Sequence, residues 1–264
     1  LNRPDIVLSK LGTIDAIQNN ALKAAYAKRL KKLGINKKNL SNKIALPKVE
    51  ISKIPQQTNE KIISVTIKVK DDNFSIRSIN IAANDVPIFG SNGLIVEKEK
   101  LGEVSKNIKI ELTTGRNKIQ ISAINSAGIE SDKETFYINY NGKPAARSCY
   151  IVAIGVSDYA DDNFDLVYAS KDAGDVASFF ESKKAQFAAV KVLKILDKNA
   201  TRENILKAKE FLAQSKVDDE AIVFFAGHGL LDEKLDYYLA TSDLNFEKPA
   251  ERGVSYEELE SLLD

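Results

Sequence analysis

The nine residues CYIVAIGVS, 149–157, carry no charged side chain and no polar alternation. A strand of this kind is dry on both faces, which places it inside a sheet covered by helices on either side. The residues after it fit such a sheet. A helical stretch has Ala169, Ala173, Val176, Phe179 and Phe180 on one face. AAVKVLKIL (188–196) reads as a second strand. Thr201 caps a helix carrying Ile205, Leu206, Phe211 and Leu212, and AIVFFA (221–226) is a third strand. Ser255 and Glu258 have the spacing of a capping box opening a last helix. Strands alternating with helices predict an α/β domain over 148–264, an open, mainly parallel sheet with helices on both faces. In such sheets, sites lie beyond the carboxyl ends of the strands.

Upstream the period is different. Over 60–143 the apolar residues alternate: Val65, Ile67, Val69; Ile79, Ile81; Ile108, Ile110, Leu112; Ile119, Ile121, Ala123; Phe136, Ile138, Tyr140. Turn signals at 71–73, 91–93, 114–117 and 125–128 separate them. This predicts an all-β, immunoglobulin-like sandwich, with no polar cluster that looks catalytic. It reads as a spacer or a recognition module. Residues 47–59, between Pro47 and the sandwich, form an extended linker. Residues 1–46 read as a helical linker. Ile14, Ile17, Ala21, Leu22, Ala25, Tyr26, Leu30 and Leu33 make one face, with Gly34 as its cap. The other face is basic, with Lys23, Lys28, Arg29, Lys31, Lys32, Lys37 and Lys38. It is either solvated or a contact for an acidic partner.

Composition closes several routes. Lysine and arginine balance aspartate and glutamate to a net +1, so nothing global favours nucleic acid or a membrane surface. No run approaches the roughly 18 apolar residues of a membrane span, and the start has no signal-peptide pattern. One cysteine, Cys149, permits no internal disulfide, which fits a cytoplasmic, reducing compartment. Cysteine and histidine are too few for a zinc cluster. The chain starts at Leu1, has no methionine and stops inside a helical pattern, as a fragment would.

The one histidine, His228, lies in FFAGHGLL, two residues past the third apolar run. A lone histidine is ordinarily a satisfied core or surface side chain. Here it leaves a buried strand at the functional edge, with glycines on both sides. The Gly229 N–H is a candidate oxyanion donor, and an imidazole beside such a donor suits acyl transfer. The nucleophile is missing. No G-x-S-x-G elbow is present, Cys149 stands at the wrong end of the first strand, and Ser157 and Ser170 have no supporting motif.

Six stretches, in this order and spacing, resemble the caspase-like cysteine peptidases of the metacaspase-related bacterial kind. They are YIVAIGVSDY (150–159), LVYASKDAGDVASFF (166–180), LDKNATRENI (196–205), DDEAIVFFAGHG (218–229), YYLATSD (237–243) and GVSYEELESLL (253–263). The upstream segments resemble the linker and sandwich that follow a WD-repeat propeller in such proteins, which implies a missing propeller and protein partners. The resemblance implies a His/Cys endopeptidase acting on protein or peptide substrates. His228 would be the base and Gly229 part of the oxyanion hole, with the nucleophilic cysteine beyond residue 264, so that the fragment alone is inactive. It further implies cleavage after arginine or lysine, with Asp172 holding the basic side chain and Asp158 a weaker candidate at the same rim. Asp172 also reads as a first-turn acid at a positive helix end, and Asp175 as solvated. An arginine for an acidic substrate is absent from this loop, since Arg147 lies at the other edge. No cofactor is expected. Calcium, which some members need, has no dense carboxylate cluster here. An inactive scaffold or sensor, or an interaction module, is the alternative.

Overall fold

The computed structural model describes residues 3–32, 46–96, 102–233 and 235–263. Contacts divide the chain into two compact units. One comprises Leu1–Pro55, Ser64–Ile110 and Lys118–Tyr137; the other comprises Gln56–Ile63, Glu111–Asn117 and Ile138–Asp264.

The N-terminal segment forms two helices, α1 (Pro4–Leu11) and α2 (Ala16–Lys32). Gly12, at φ 66°, ends α1 in the left-handed conformation that glycine adopts without penalty. Within the predicted apolar stripe, Tyr26 and Leu30 are buried, whereas Ile17 is 83% exposed. The stripe is therefore covered only towards its C-terminal end. Arg3 lies 4.0 Å over the Tyr26 ring and pairs with the buried carboxylate of Asp5 at 2.7 Å, which holds the Asp5 pKa below its ordinary value. Leu33, Gly34, Lys37 and Lys38 lie outside the described residues.

The strands β1 (Lys48–Ile51), β2 (Gln57–Thr58), β3 (Ile62–Lys70), β4 (Ile76–Ala83), β5 (Val86–Pro87), β6 (Leu94–Ile95), β7 (Glu103–Glu111), β8 (Gly115–Asn125) and β9 (Glu134–Tyr140) build a sandwich. One sheet runs β1-β3-β7. The other runs β2-β9-β8-β4-β5, with β6 also on β4. Alternation decides which face is dry: Val65, Ile67 and Val69 on β3, Ile79 and Ile81 on β4, and Ile119, Ile121 and Ala123 on β8 are all buried.

The remaining elements are β10 (Cys149–Gly155), α3 (Ala169–Ser182), β11 (Val190–Leu196), α4 (Arg202–Leu212), β12 (Glu220–Ala226), β13 (Gly229–Leu231), β14 (Tyr237–Leu239), α5 (Pro249–Arg252), β15 (Val254–Ser255) and α6 (Tyr256–Glu260). Three parallel strands are ordered β11-β10-β12, and every residue of β10 is buried. Gly155 pairs with both Leu196 and Ala226, so the three strands end level. A small antiparallel sheet, β13-β14-β15, extends from that edge. Odd-numbered residues of β10 pack with Ala173 and Ala177 of α3. Even-numbered ones pack with Ile205, Ala208 and Leu212 of α4.

The buried stripe of α3 is Ala169, Ala173 and Ala177, while Phe179 is 55% exposed and not on the buried face expected for it. Small residues are needed because the helix approaches the strand closely. A Cβ on Gly155 would stand 2.6 Å from the Ser170 Cα and 2.7 Å from the Ala169 carbonyl oxygen. The caps match expectation. The Thr201 hydroxyl accepts the Asn204 N–H, and Ser255 and Glu258 form a reciprocal capping box. Glu258 also pairs with Arg202. Burial raises its pKa, but the Ser255 backbone N–H and Arg202 outweigh this, and the net shift is downward.

Gly155→Ala is expected to destabilise the protein by about 1–3 kcal/mol, the usual cost of overpacking against backbone that cannot yield. Equilibrium urea unfolding measures it, and an unchanged midpoint would contradict the close approach. A carboxylate with a lowered folded pKa stabilises above its unfolded pKa, and that contribution is lost as pH falls through the folded one. Wild-type protein should therefore lose more stability than Glu258→Gln when pH is lowered below the ordinary glutamate range, as parallel melting curves would show.

Candidate active site at the carboxyl edge

His228 leaves β12 where the three strands end level, as its place in the sequence predicts. Its backbone is held from both sides. The His228 N–H donates to the Tyr159 hydroxyl at 3.0 Å, and its carbonyl accepts the Ala240 N–H at 2.9 Å. Tyr159 is buried, and burial pushes its phenol pKa up, so the hydroxyl stays neutral. The space between is tight: a Cβ on Gly227 would lie 2.9 Å from the Tyr159 hydroxyl.

The imidazole is half-buried among three aromatic rings. Tyr159, Phe246 and Phe164 have ring centroids 5.2, 5.6 and 6.3 Å from it, and Phe164 stacks on Phe246 at 3.7 Å. Its Nε2 lies 2.9 Å from the Phe164 carbonyl oxygen. A carbonyl only accepts, so this contact requires a proton on Nε2 and leaves Nδ1 as the basic nitrogen of the neutral ring. The loop that supplies this oxygen is itself braced. Asp161 caps the short turn Asp162–Phe164, and the Asp165 carboxylate accepts the Tyr159 N–H at 2.8 Å.

Gly229 opens β13 opposite Leu239. Ala240 donates to the His228 carbonyl, so residues 228 and 240 form the hydrogen-bonded pair. By antiparallel alternation, the Gly229 N–H then points away from β14. Asp158 lies three residues past the end of β10 and lines an open hollow of about 670 Å³ with Tyr159, Asp197, Lys198 and Asp243. Asp197, at φ 44°, turns back so that its carboxylate accepts the Ser157 N–H at 2.8 Å and the Asp158 N–H at 3.3 Å. Asp243 pairs with Arg252 at 2.9 Å. Asp172 is exposed in the first turn of α3 and is not part of this hollow. The structure thus joins His228 and Asp158 through Tyr159, and sets Asp172 on a separate element.

The other nucleophile candidates have structural places. Cys149 is fully buried at the amino end of β10, six residues or about 20 Å from the edge where His228 lies. Burial raises its thiol pKa, the reverse of activation. The Ser157 hydroxyl accepts the Ser170 N–H at 2.9 Å and bonds to the Ser170 hydroxyl, tying α3 to the exit of β10. Among the described residues, no group of three or more histidine, cysteine, aspartate or glutamate side chains is placed to hold a metal, and no helix is long and apolar enough to cross a membrane.

Residues 148–263 match the family model of the caspase domain. The match covers the parallel sheet, its helices and His228, and with them the C-terminal part of the chain. Comparison with curated proteins gives no match. Among solved structures, the fibronectin(III)-like modules of Clostridium thermocellum CbhA are 14% identical, over 36% of this chain and 98% of theirs, with a TM-score of 0.28. The SrpA adhesin from Streptococcus sanguinis is 12% identical, over 56% and 78%, with a TM-score of 0.30. Likenesses this slight have no bearing on function.

Tyr159, Phe164 and Phe246 carry no signal in the sequence that marks them as neighbours of His228. A backbone carbonyl leaves no residue signature, and only the tight DYADDNF turn hints that a loop returns over the strand end. Tyr159→Phe should leave the half-buried His228 N–H without its acceptor, costing about 1 kcal/mol. Urea unfolding of this variant beside wild type tests that cost, and equal stability would show that the bond is dispensable.

Proposed function

We propose that the caspase-family domain is the His-bearing part of a cysteine endopeptidase that cleaves after arginine or lysine. The observation that carries this reading is the Phe164 carbonyl on Nε2 of His228, which fixes the ring and turns Nδ1 into the proton acceptor. The nucleophile is a cysteine contributed by polypeptide outside these 264 residues, since Cys149 is buried at the opposite edge. The free edge of β12, whose only neighbour among the described strands is β10, suits a further strand delivering it.

In the reaction, His228 Nδ1 takes the thiol proton, and the thiolate sulfur attacks the scissile carbonyl carbon. The Gly229 N–H donates to the resulting oxyanion. Collapse breaks the C–N bond, with His228 returning the proton to the amine. Water, deprotonated by His228, then hydrolyses the thioester. Asp158 and Asp172 are assigned to the basic side chain of the substrate. Asp158, Asp197 and Asp243 give their hollow an excess of acid over Lys198 and Arg252, and a guanidinium pairs strongly with such carboxylates. In this reading residues 60–143 are a recognition or spacing module to which the segment 47–59, expected as an extended linker, adds the strands β1 and β2; residues 1–46 are a linker, and 148–264 is the peptidase segment. A scaffold without activity is the second reading, favoured by the structural commitments of Cys149, Ser157 and Ser170.

The test uses protein that includes the polypeptide encoded downstream of residue 264, with arginyl, lysyl and aspartyl reporter peptides. Cleavage of the basic reporters, reduced about 100- to 10,000-fold in His228→Ala, is expected. A histidine variant as fast as wild type removes His228 as the base, and no cysteine downstream establishes the scaffold. Asp158→Asn and Asp172→Asn should each raise KM for the arginyl peptide, and a residue whose variant leaves KM unchanged is not in the pocket.

A further inference from the structure

We propose that Phe246 is a positioning residue for the imidazole of His228. This rests on the reading of His228 as the base. Phe246 lies in the turn TSDLNFEKP, 241–249. Asn245 builds the turn: its side-chain oxygen accepts the Glu247 N–H at 3.0 Å, and its carbonyl accepts the Lys248 N–H at 2.9 Å. Asn245 and Glu247 are exposed. Phe246 between them is half-buried and packs against the core that β10 shares with α4.

Its ring meets the imidazole directly, edge to face, with centroids 5.6 Å apart. It also meets both residues of the 159–164 loop that hydrogen-bond to His228. It stands 5.4 Å from the Tyr159 ring at 71°, and it stacks on Phe164 at 3.7 Å and 7°. The bond from Nε2 to the Phe164 carbonyl fixes one atom of the imidazole. It leaves the ring free to swing about the line from Nε2 to that oxygen, which would carry Nδ1 away from the thiol. Contacts against the ring stop the swing. Tyr159 and Phe246 stand at 45° and 81° to the imidazole plane, and so oppose it in different directions. Core filling alone would be met by any apolar side chain of similar volume, whereas positioning needs the flat ring. Moving a reacting atom by about 1 Å costs on the order of 100-fold in rate, and the loss appears in turnover rather than in substrate binding.

Phe246→Leu, Phe246→Tyr, Phe164→Leu and the double leucine variant are compared in the full-length protein with a lysyl reporter. Phe246→Leu should lower kcat about 10- to 100-fold with KM within about twofold. Phe246→Tyr, which keeps the ring, should hold kcat near wild type. The double variant should lose little more than the worse single variant, since both changes remove one stack. Wild-type kcat in Phe246→Leu, an equal loss in Phe246→Tyr, or additive losses overturn the inference. Nitrogen NMR of the His228 imidazole in the same proteins reads the contact without turnover. In the neutral wild-type ring the two nitrogen resonances should stand far apart, as for a single tautomer protonated on Nε2. In Phe246→Leu they should converge as the ring leaves the carbonyl, and unchanged resonances overturn the contact. If Phe246→Leu does not fold, Phe164→Leu, which keeps the carbonyl and removes the stack, must show the same convergence, or the inference fails. A wild-type protein that cleaves nothing, with resonances that converge as expected, sinks the peptidase reading and not the positioning of the ring.

Discussion

The burial of β10 between β11 and β12 governs the C-terminal domain. Each residue of the strand is dry on both faces, so its register is fixed by what it packs against rather than by a turn. Gly155 meets Leu196 on one side and Ala226 on the other. The three strands therefore release their chains at one level. The Tyr159 loop, the Asp197 turn and the His228 segment emerge there together. α3 also comes close to the strand at Gly155, and Ser157 and Ser170 fasten that helix to the strand exit.

From that edge a chain of hydrogen bonds runs to His228. The Asp165 carboxylate holds the Tyr159 N–H, the Tyr159 hydroxyl holds the His228 N–H, and the Phe164 carbonyl holds Nε2. Three residues of one short loop thus set the position, orientation and tautomer of a histidine about 65 residues further along the chain. Aromatic packing of Phe164 on Phe246 keeps that loop down over the ring. The half-buried imidazole has one nitrogen committed and one available, which is the condition a general base needs.

Much of the architecture is legible in the sequence. The unbroken apolar run of β10, the caps at Thr201 and Ser255, and the alternation of the sandwich strands each reflect local chemistry, and each appears where expected. The exceptions have a common cause. Phe179 points outward and Ile17 is exposed because helical period names a stripe without saying how far the neighbouring surface extends. On α3 the alanines 169, 173 and 177 face the sheet, since backbone must approach Gly155 closely and a phenylalanine would hold it away.

By itself the sequence determined the parallel α/β order, the sandwich before it, and the placing of His228 and Gly229 at a carboxyl strand end, because period and caps are properties of neighbouring residues. Only the tertiary structure decided which nitrogen of His228 is basic, and that Asp158 but not Asp172 shares a hollow with Tyr159. Those depend on a carbonyl 64 residues away and on strands ending level. Neither leaves a mark on the residues next to it in the chain.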